Sequence, residues 1–230
     1  MSIKRTFTNW LTNYDDKKSI ASKIRARRIF PLLNMIEEVS WNHSSINIID
    51  VGGEERYWNI IPRQFLDEHN VHITIVNLPD SLKFKDHGLF KYVASDCCDL
   101  SAFDDNAFHI AHSNSVLEHV GNWERMIQFA KELTRVSQKF FIQTPNYWFP
   151  VEPHFMTPFF HWLPLPAQIW LASHIQLGSH DKLTSVDESV RMIQSTQLLN
   201  RRMLKELFKD AHIQTERFFW LPKSFIAIKK

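Results

Sequence analysis

Apolar positions along the chain fall into two alternating rhythms. Short runs rich in β-branched and aromatic residues occur at Ile46 to Val51, Val71 to Val76, Phe90 to Ala94, Phe108 to His112 and Lys139 to Gln143. Their length and composition predict strands, and the first, being nearly continuous, suits a strand buried on both faces. Between them lie stretches with apolar residues three or four apart, which predict helices. Ser19 to Val39 carries Ile20, Ile24, Phe30, Leu33 and Ile36, with Pro31 expected to bend or split it. Trp58 to Glu68 reads as one helix with Pro62 near its first turn, and Asn122 to Val136 as a helix capped by Asn122. Strands alternating with helices predict right-handed parallel crossovers and a doubly wound α/β sheet.

The end of the chain departs from that rhythm. Asn200 caps a helix over Arg201 to Asp210, and Ile213 to Phe219 and Ser224 to Ile228 read as a hairpin whose short turn contains Pro222. Residues 146–198 form an insertion after the fifth strand, and Asn146 to Gly178 is its dense aromatic and proline part. Tyr147, Trp148, Phe149, Phe155, Phe159, Phe160, Trp162 and Trp170 fall there. Loops at the carboxyl ends of strands are where α/β sheets bind ligands, so the insertion reads as a lid over an acceptor pocket. A surface dipping into a membrane interface, plain core or a dimer contact are the other readings of the same residues. The organisation expected is one domain over 1–230, with a helical segment at 1–45.

Composition narrows the partners. A net charge of +2 over 230 residues does not suit a dedicated nucleic-acid binder. Lys4, Arg5, Lys17, Lys18, Lys23, Arg25, Arg27 and Arg28 crowd the first part of the chain. They read as a solvated helix face, or as a patch attracted to anionic substrate or lipid phosphates. The two cysteines, Cys97 and Cys98, are adjacent and cannot form an ordinary disulfide with each other. With no secretory leader and no long apolar run, a reducing, cytoplasmic setting is expected, with peripheral contact at the inner membrane compatible with it.

The chemistry concentrates in two segments. Ile48-Ile49-Asp50-Val51-Gly52-Gly53 is a strand running into a glycine pair. Phe108-His109-Ile110-Ala111-His112-Ser113-Asn114 is a strand ending in small polar residues, followed by Glu118-His119. In this order the two segments resemble motifs of class I S-adenosylmethionine-dependent methyltransferases, particularly the type 11 group. The resemblance covers roughly Ile46 to Ile142 and extends to the closing hairpin. It implies a seven-stranded Rossmann-like sheet whose last strand inserts antiparallel. It also implies S-adenosylmethionine as cofactor and S-adenosylhomocysteine as product.

Carried over residue by residue, the resemblance puts Asp50, Gly52 and Gly53 beside the methionine part of the cofactor. The family's further glycines are replaced by Glu54 and Arg56, so the side chain of Glu54 enters the cradle. Asn77 stands where an acidic residue usually accepts from the ribose, and without a charge its bond is expected to be weaker. Leu78 would pack on adenine, and Asp96 with the backbone of Cys97 would read the adenine edge. Ser113 and Asn114 would form the wall behind the cofactor.

His119, with its near-neutral pKa, and His154 in the polar cluster Glu152-Pro153-His154 are the candidate general bases, with Glu118 beside them. Each could equally be a structural group. Some small-RNA 2′-O-methyltransferases hold a divalent ion with Glu-x-x-Glu-His, but Ser115 replaces the first glutamate here, and with His154 as a distant third ligand the set would still be incomplete, so no metal is expected. The acceptor is expected to be a small molecule or glycan, through a resemblance to members linked with bacterial polysaccharide, sugar or lipid-linked precursor modification. The competing class is a binding or scaffold protein with a degenerate cofactor loop, for which Glu54, Arg56 and Asn77 speak. A nicotinamide-dependent oxidoreductase is disfavoured, because Glu54-Glu55 would set negative charge beside a pyrophosphate.

Overall fold

The computed structural model describes residues 20–81, 85–178 and 182–230. A seven-stranded sheet is its spine, built from β1 (Ile46–Val51), β2 (Val71–Asn77), β3 (Phe90–Ala94), β4 (Phe108–Asn114), β5 (Ser137–Pro145), β8 (His212–Phe218) and β9 (Leu221–Lys229). Their order is β3-β2-β1-β4-β5-β9-β8. β1 to β5 run parallel, and β9 is antiparallel to both of its neighbours. This is the α/β, Rossmann-like methyltransferase sheet that the resemblance implies.

Period-two alternation divides the strand residues between two cores. Ile46, Ile48, Ile73, Ile75, Ile110 and Phe141 face α1 (Ile20–Ser40), α2 (Glu55–Trp58) and α3 (Arg63–Glu68). Ile49, Val51, Val76, Ala111 and Ile142 face α4 (Trp123–Val136) and, further along the sheet, α7 (Arg201–Leu207). α4 buries Met126, Phe129, Ala130 and Leu133, a single stripe at helical spacing, and Asn122 accepts the Arg125 amide as its cap.

Four local expectations are corrected. α1 runs through Pro31 without a break. Burial of Ile29, Leu32, Met35, Ile36 and Val39 against the sheet outweighs the one helical hydrogen bond that proline forfeits. The segment 58–68 is not one helix, because α2 ends at Trp58 and α3 begins at Arg63. Pro62 stands as the N-cap of α3 with extended ψ rather than inside a first turn.

Pro222 is not in the hairpin turn, which falls at Phe219 and Trp220; it pairs with Arg217 inside β9. A register shift between Glu216 and Arg217 supplies the irregularity that admits a proline within a sheet. Arg28, finally, is no surface charge. Its guanidinium grips Glu216 through two 2.8 Å contacts, and both side chains are 8% exposed. Lys4, Arg5, Lys17 and Lys18 lie outside the described residues.

The insertion holds a two-residue hairpin, β6 (Val151–Glu152) and β7 (Thr157–Pro158), then α5 (Leu165–His174) and α6 (Val186–Gln194). It leaves and rejoins the sheet at one place, since Tyr147 N donates to Leu199 O at 2.9 Å. Phe155, Phe160, Ala172 and Leu177 give it a small core of its own.

Candidate active site

Because β1 to β4 are parallel and in register, their carboxyl ends place the Gly52-Gly53 turn, Asn77, Ser95-Asp96 and Ser113-Asn114 along one edge of the sheet. The glycine pair is required by its surroundings. Gly52 has a left-handed φ of 71°, and a Cβ there would strike the Val116 methyl groups. A Cβ on Gly53 would overlap the Asp50 carboxylate.

Asp50 itself is wholly buried beneath the turn. Trp58 Nε1 donates to its Oδ2 at 2.7 Å, and His112 Nδ1 lies 2.6 Å from its Oδ1. Strand pairing sets Asp50 directly beside His112. Asp50 therefore fixes the turn from below. Trp58 and His112 are functional partners that the sequence reading passed over; a histidine inside an otherwise apolar strand was the available signal.

The turn is also braced from β2. Gly52 N donates to Val76 O at 2.7 Å, and Asn77 Nδ2 donates to Gly53 O at 2.7 Å. Spending its amide nitrogen on the loop orients the Asn77 side chain and leaves its carbonyl oxygen to accept from a ligand. Leu78, next along, is 55% exposed and offers a flat apolar patch. Glu54 and Arg56 are exposed on the rim, while Glu55 turns away to accept from Tyr92 Oη at 2.9 Å.

Asp96 takes Arg125 Nη2 on both oxygens, at 2.8 and 2.6 Å, and the Cys98 amide at 2.9 Å. Burial pushes its pKa up, but the Cys98 amide and the Arg125 cation together hold it below the ordinary value. The Cys97 side chain also hydrogen-bonds this carboxylate, so an adenine amino group would have to share or displace one of these donors. Cys97 is half-buried beside it. Ser113 Oγ donates to Val51 O at 3.0 Å, tying β4 to β1. Asn114 Oδ1 accepts Arg28 Nη1 at 2.8 Å, which brings α1 over the end of β4.

A second polar group lies where the chain leaves β4. Glu118, in a 3₁₀ turn over Leu117–His119, is wholly buried. Thr144 Oγ1 donates to its Oε2 at 3.0 Å, and its Oε1 is buried without a hydrogen-bond partner. Burial pushes the Glu118 pKa up to about 7.

From the insertion, His154 arrives with its ring 4.6 Å from that of His119. Its Nδ1 lies 2.6 Å from Glu152 Oε1. Burial lowers the His154 pKa, but the Glu152 carboxylate more than restores it, and the net shift is upward. His119 is shifted down, by burial and by His154. Glu152 also lines a cavity of about 280 Å³ with Tyr147, Phe155, Phe160, His161 and Gln197. His161 Nε2 and Trp162 Nε1 both bond Tyr147 O, so His161 belongs to the insertion's scaffolding.

Comparison with known proteins bears on the first of these two groups. Residues 52–141 match the Methyltransf_11 family model, described as a methyltransferase domain. They are a methyltransferase domain. Its cofactor is S-adenosylmethionine. The residues present fit that group: a turn too tight for any side chain, the Asn77 amide oxygen left to accept, and an exposed leucine beside it.

No curated protein matches the chain. Among solved structures, the CurJ carbon methyltransferase aligns over 97% of this chain and 57% of its own, at 15% identity and a TM-score of 0.55. LepI in complex with SAM aligns over 86% of this chain and 46% of its own, at 11% identity and 0.52. An O-methyltransferase family protein from Burkholderia thailandensis aligns over 99% and 70%, at 15% identity and 0.50. These likenesses establish a shared fold. The chain spans about half the length of the LepI and CurJ chains that it matches.

Proposed function

We propose that the chain moves a methyl group from S-adenosylmethionine to a hydroxyl oxygen of a sugar, glycan or lipid-linked biosynthetic intermediate. The observation that carries this reading is the Glu118, His119, Glu152 and His154 cluster, where the turn after β4 meets the insertion and Glu152 also lines the cavity. A hydroxyl acceptor must shed a proton as its oxygen takes the methyl group, and a cluster of imidazoles and carboxylates is suited to that task.

The transfer breaks the S–CH₃ bond and forms an O–CH₃ bond. The electron pair of the broken bond stays on sulfur as the neutral thioether, and the hydroxyl proton passes to the cluster. Holding the two reactants in line can supply about 7–11 kcal/mol of the barrier, so positioning is the larger share of the work. His154 carries the proton-accepting role best, because Glu152 orients its ring and stabilises its cation. Glu118 and His119 complete the polar wall.

Asp50, Gly52, Gly53, Glu54, Asn77, Leu78, Asp96, Cys97, Ser113 and Asn114 are assigned to the cofactor. The insertion is assigned as the lid, with Tyr147 as an apolar face for a sugar ring, while Phe155 and Phe160 hold the lid together as its core. The Burkholderia thailandensis protein is an O-methyltransferase family protein, in keeping with an oxygen acceptor, whereas CurJ is a carbon methyltransferase. No helix among the described residues is long and apolar enough to cross a membrane. Exposed Trp148, Trp162, Phe219 and Trp220 fit peripheral contact with a lipid-linked acceptor at the cytoplasmic face.

Calorimetry with S-adenosylmethionine and S-adenosylhomocysteine tests the reading at its base: saturable binding of both is expected, and no heat at millimolar ligand would leave a scaffold protein instead. At saturating cofactor, His154→Ala should lower turnover on a hydroxylated acceptor at least tenfold.

A further inference from the structure

We propose that Glu118, His119 and His154 form a divalent-cation site where the 3₁₀ turn after β4 meets the insertion. One potential ligand atom from each lies within 4.8 Å of the others. Donors sharing an ion at about 2.1 Å lie no more than about 4.2 Å apart, so a small rotation of the exposed His119 ring closes the set.

Each side chain is held from behind and open in front. His154 turns Nδ1 to Glu152 Oε1 at 2.6 Å, which fixes Nδ1 as the protonated nitrogen and leaves the lone pair on Nε2. His119 turns Nδ1 to Ser195 O at 3.2 Å, with the same consequence. Glu118 spends Oε2 on Thr144 and leaves Oε1 buried without a partner. With the protons displaced by a cation, Glu118 Oε1 and one ring nitrogen from each histidine would be its ligands.

A buried acceptor facing two others is costly unless a positive charge joins them. That unpaired oxygen on a wholly buried side chain is independent of the cluster's spacing, and it points to a bound cation. The outer carboxylate of Glu152 on a ligand imidazole is the usual support of such sites. Two imidazoles and one carboxylate suit Zn²⁺, Co²⁺, Mn²⁺ or Fe²⁺ better than Mg²⁺ or Ca²⁺.

This reverses the expectation of no metal drawn from Ser115. The Ser115 hydroxyl bonds Gln143 instead, and the third ligand comes from the insertion. The other grouping of this kind, Asp96 with Cys97 and Cys98, has its carboxylate already taken by Arg125. Resting on the methyl-transfer reading, a cation here would neutralise the charge that develops on the acceptor oxygen, leaving His154 as a ligand in place of a base.

Metal-free full-length protein titrated with CoCl₂, followed by visible absorption and calorimetry, is the test. One equivalent is expected to bind, with ligand-field bands of mixed nitrogen and oxygen coordination. Binding should be lost in Glu118→Gln and His154→Ala, and weakened about 10- to 100-fold in Glu152→Gln. Because Glu118 is buried, His154→Ala decides the matter if the glutamine variant fails to fold. No stoichiometric binding of Co²⁺ or Zn²⁺, or binding unchanged in His154→Ala, overturns the proposal. S-Adenosylhomocysteine binding measured on the same sample separates the two readings. Cofactor without cation sinks only the metal site, and cation without cofactor sinks only the methyl-transfer reading.

Discussion

Two acidic side chains lie fully buried at this edge of the sheet, and they are treated in opposite ways. Asp50 has both oxygens engaged, by Trp58 and His112. Glu118, one loop along from β4, has one oxygen on Thr144 and the other on nothing. A buried carboxylate with a partner on each oxygen is architecture, since it locks a turn in one geometry. A buried carboxylate left half-answered costs stability, and proteins keep that cost where a ligand or proton will answer it. The contrast is one of carboxylates only, since His112 beside Asp50 keeps a buried Nε2 without a partner; it leaves Asp50 as a brace of the Gly52-Gly53 turn and Glu118 as the carboxylate open to a ligand.

The largest effect expected from breaking that contrast is His112→Ala. Removing one partner of a buried pair strands the Asp50 carboxylate, and a loss of about 3–5 kcal/mol in urea unfolding is expected. A loss under about 1 kcal/mol would mean that Asp50 is not held as described.

Glu118→Gln should act in the other direction, and only at higher pH. The folded-state pKa of Glu118, raised to about 7, exceeds the ordinary carboxylate value, so its stability contribution is fully present below that ordinary value. It is lost as pH rises through about 7. Wild type should therefore lose about 3 kcal/mol relative to the glutamine variant over that window, read by melting the metal-free proteins at several pH values. Parallel pH profiles would place the Glu118 charge elsewhere than in the interior.

Trp58→Phe falls between Glu118→Gln and Asn77→Ala in size. It keeps the ring but drops one hydrogen bond to a charged group, for a loss of about 2 kcal/mol. Smaller still is Asn77→Ala. It removes one neutral acceptor and the brace on Gly53, so S-adenosylhomocysteine affinity should fall about tenfold while the melting temperature changes little.

The five parallel strands were legible in the sequence because burial on both faces leaves so few positions for polar side chains. Asn122 and Asn200 marked their helices through capping, and the closing hairpin showed in its period. Proline was the residue read least well. Pro31, Pro62 and Pro222 each landed in a setting decided by tertiary packing or by a bulge, which local rules cannot supply.

The site was legible as two strand ends but not as a set of contacts. Glu118, His119 and His154 could be named from the sequence, yet only the fold brings His154, 35 positions on, against its neighbours. Arg28 could not have been read as a buried partner of Glu216, because the two are 188 positions apart and nothing local links them. His112 and Trp58 carried a weak signal, a polar ring in an apolar strand and an indole a short loop away, that becomes meaningful only with Asp50 between them.

The central claim is that the cofactor lies along the Gly52–Asn77–Asn114 edge with its sulfur facing Glu118 and His154. A crystal structure with S-adenosylhomocysteine tests it most directly. The account predicts ribose density against Asn77, adenine over Leu78, and the sulfur turned toward the His154 ring. Density elsewhere, or a cleft filled by Glu54 or Arg56, would contradict it.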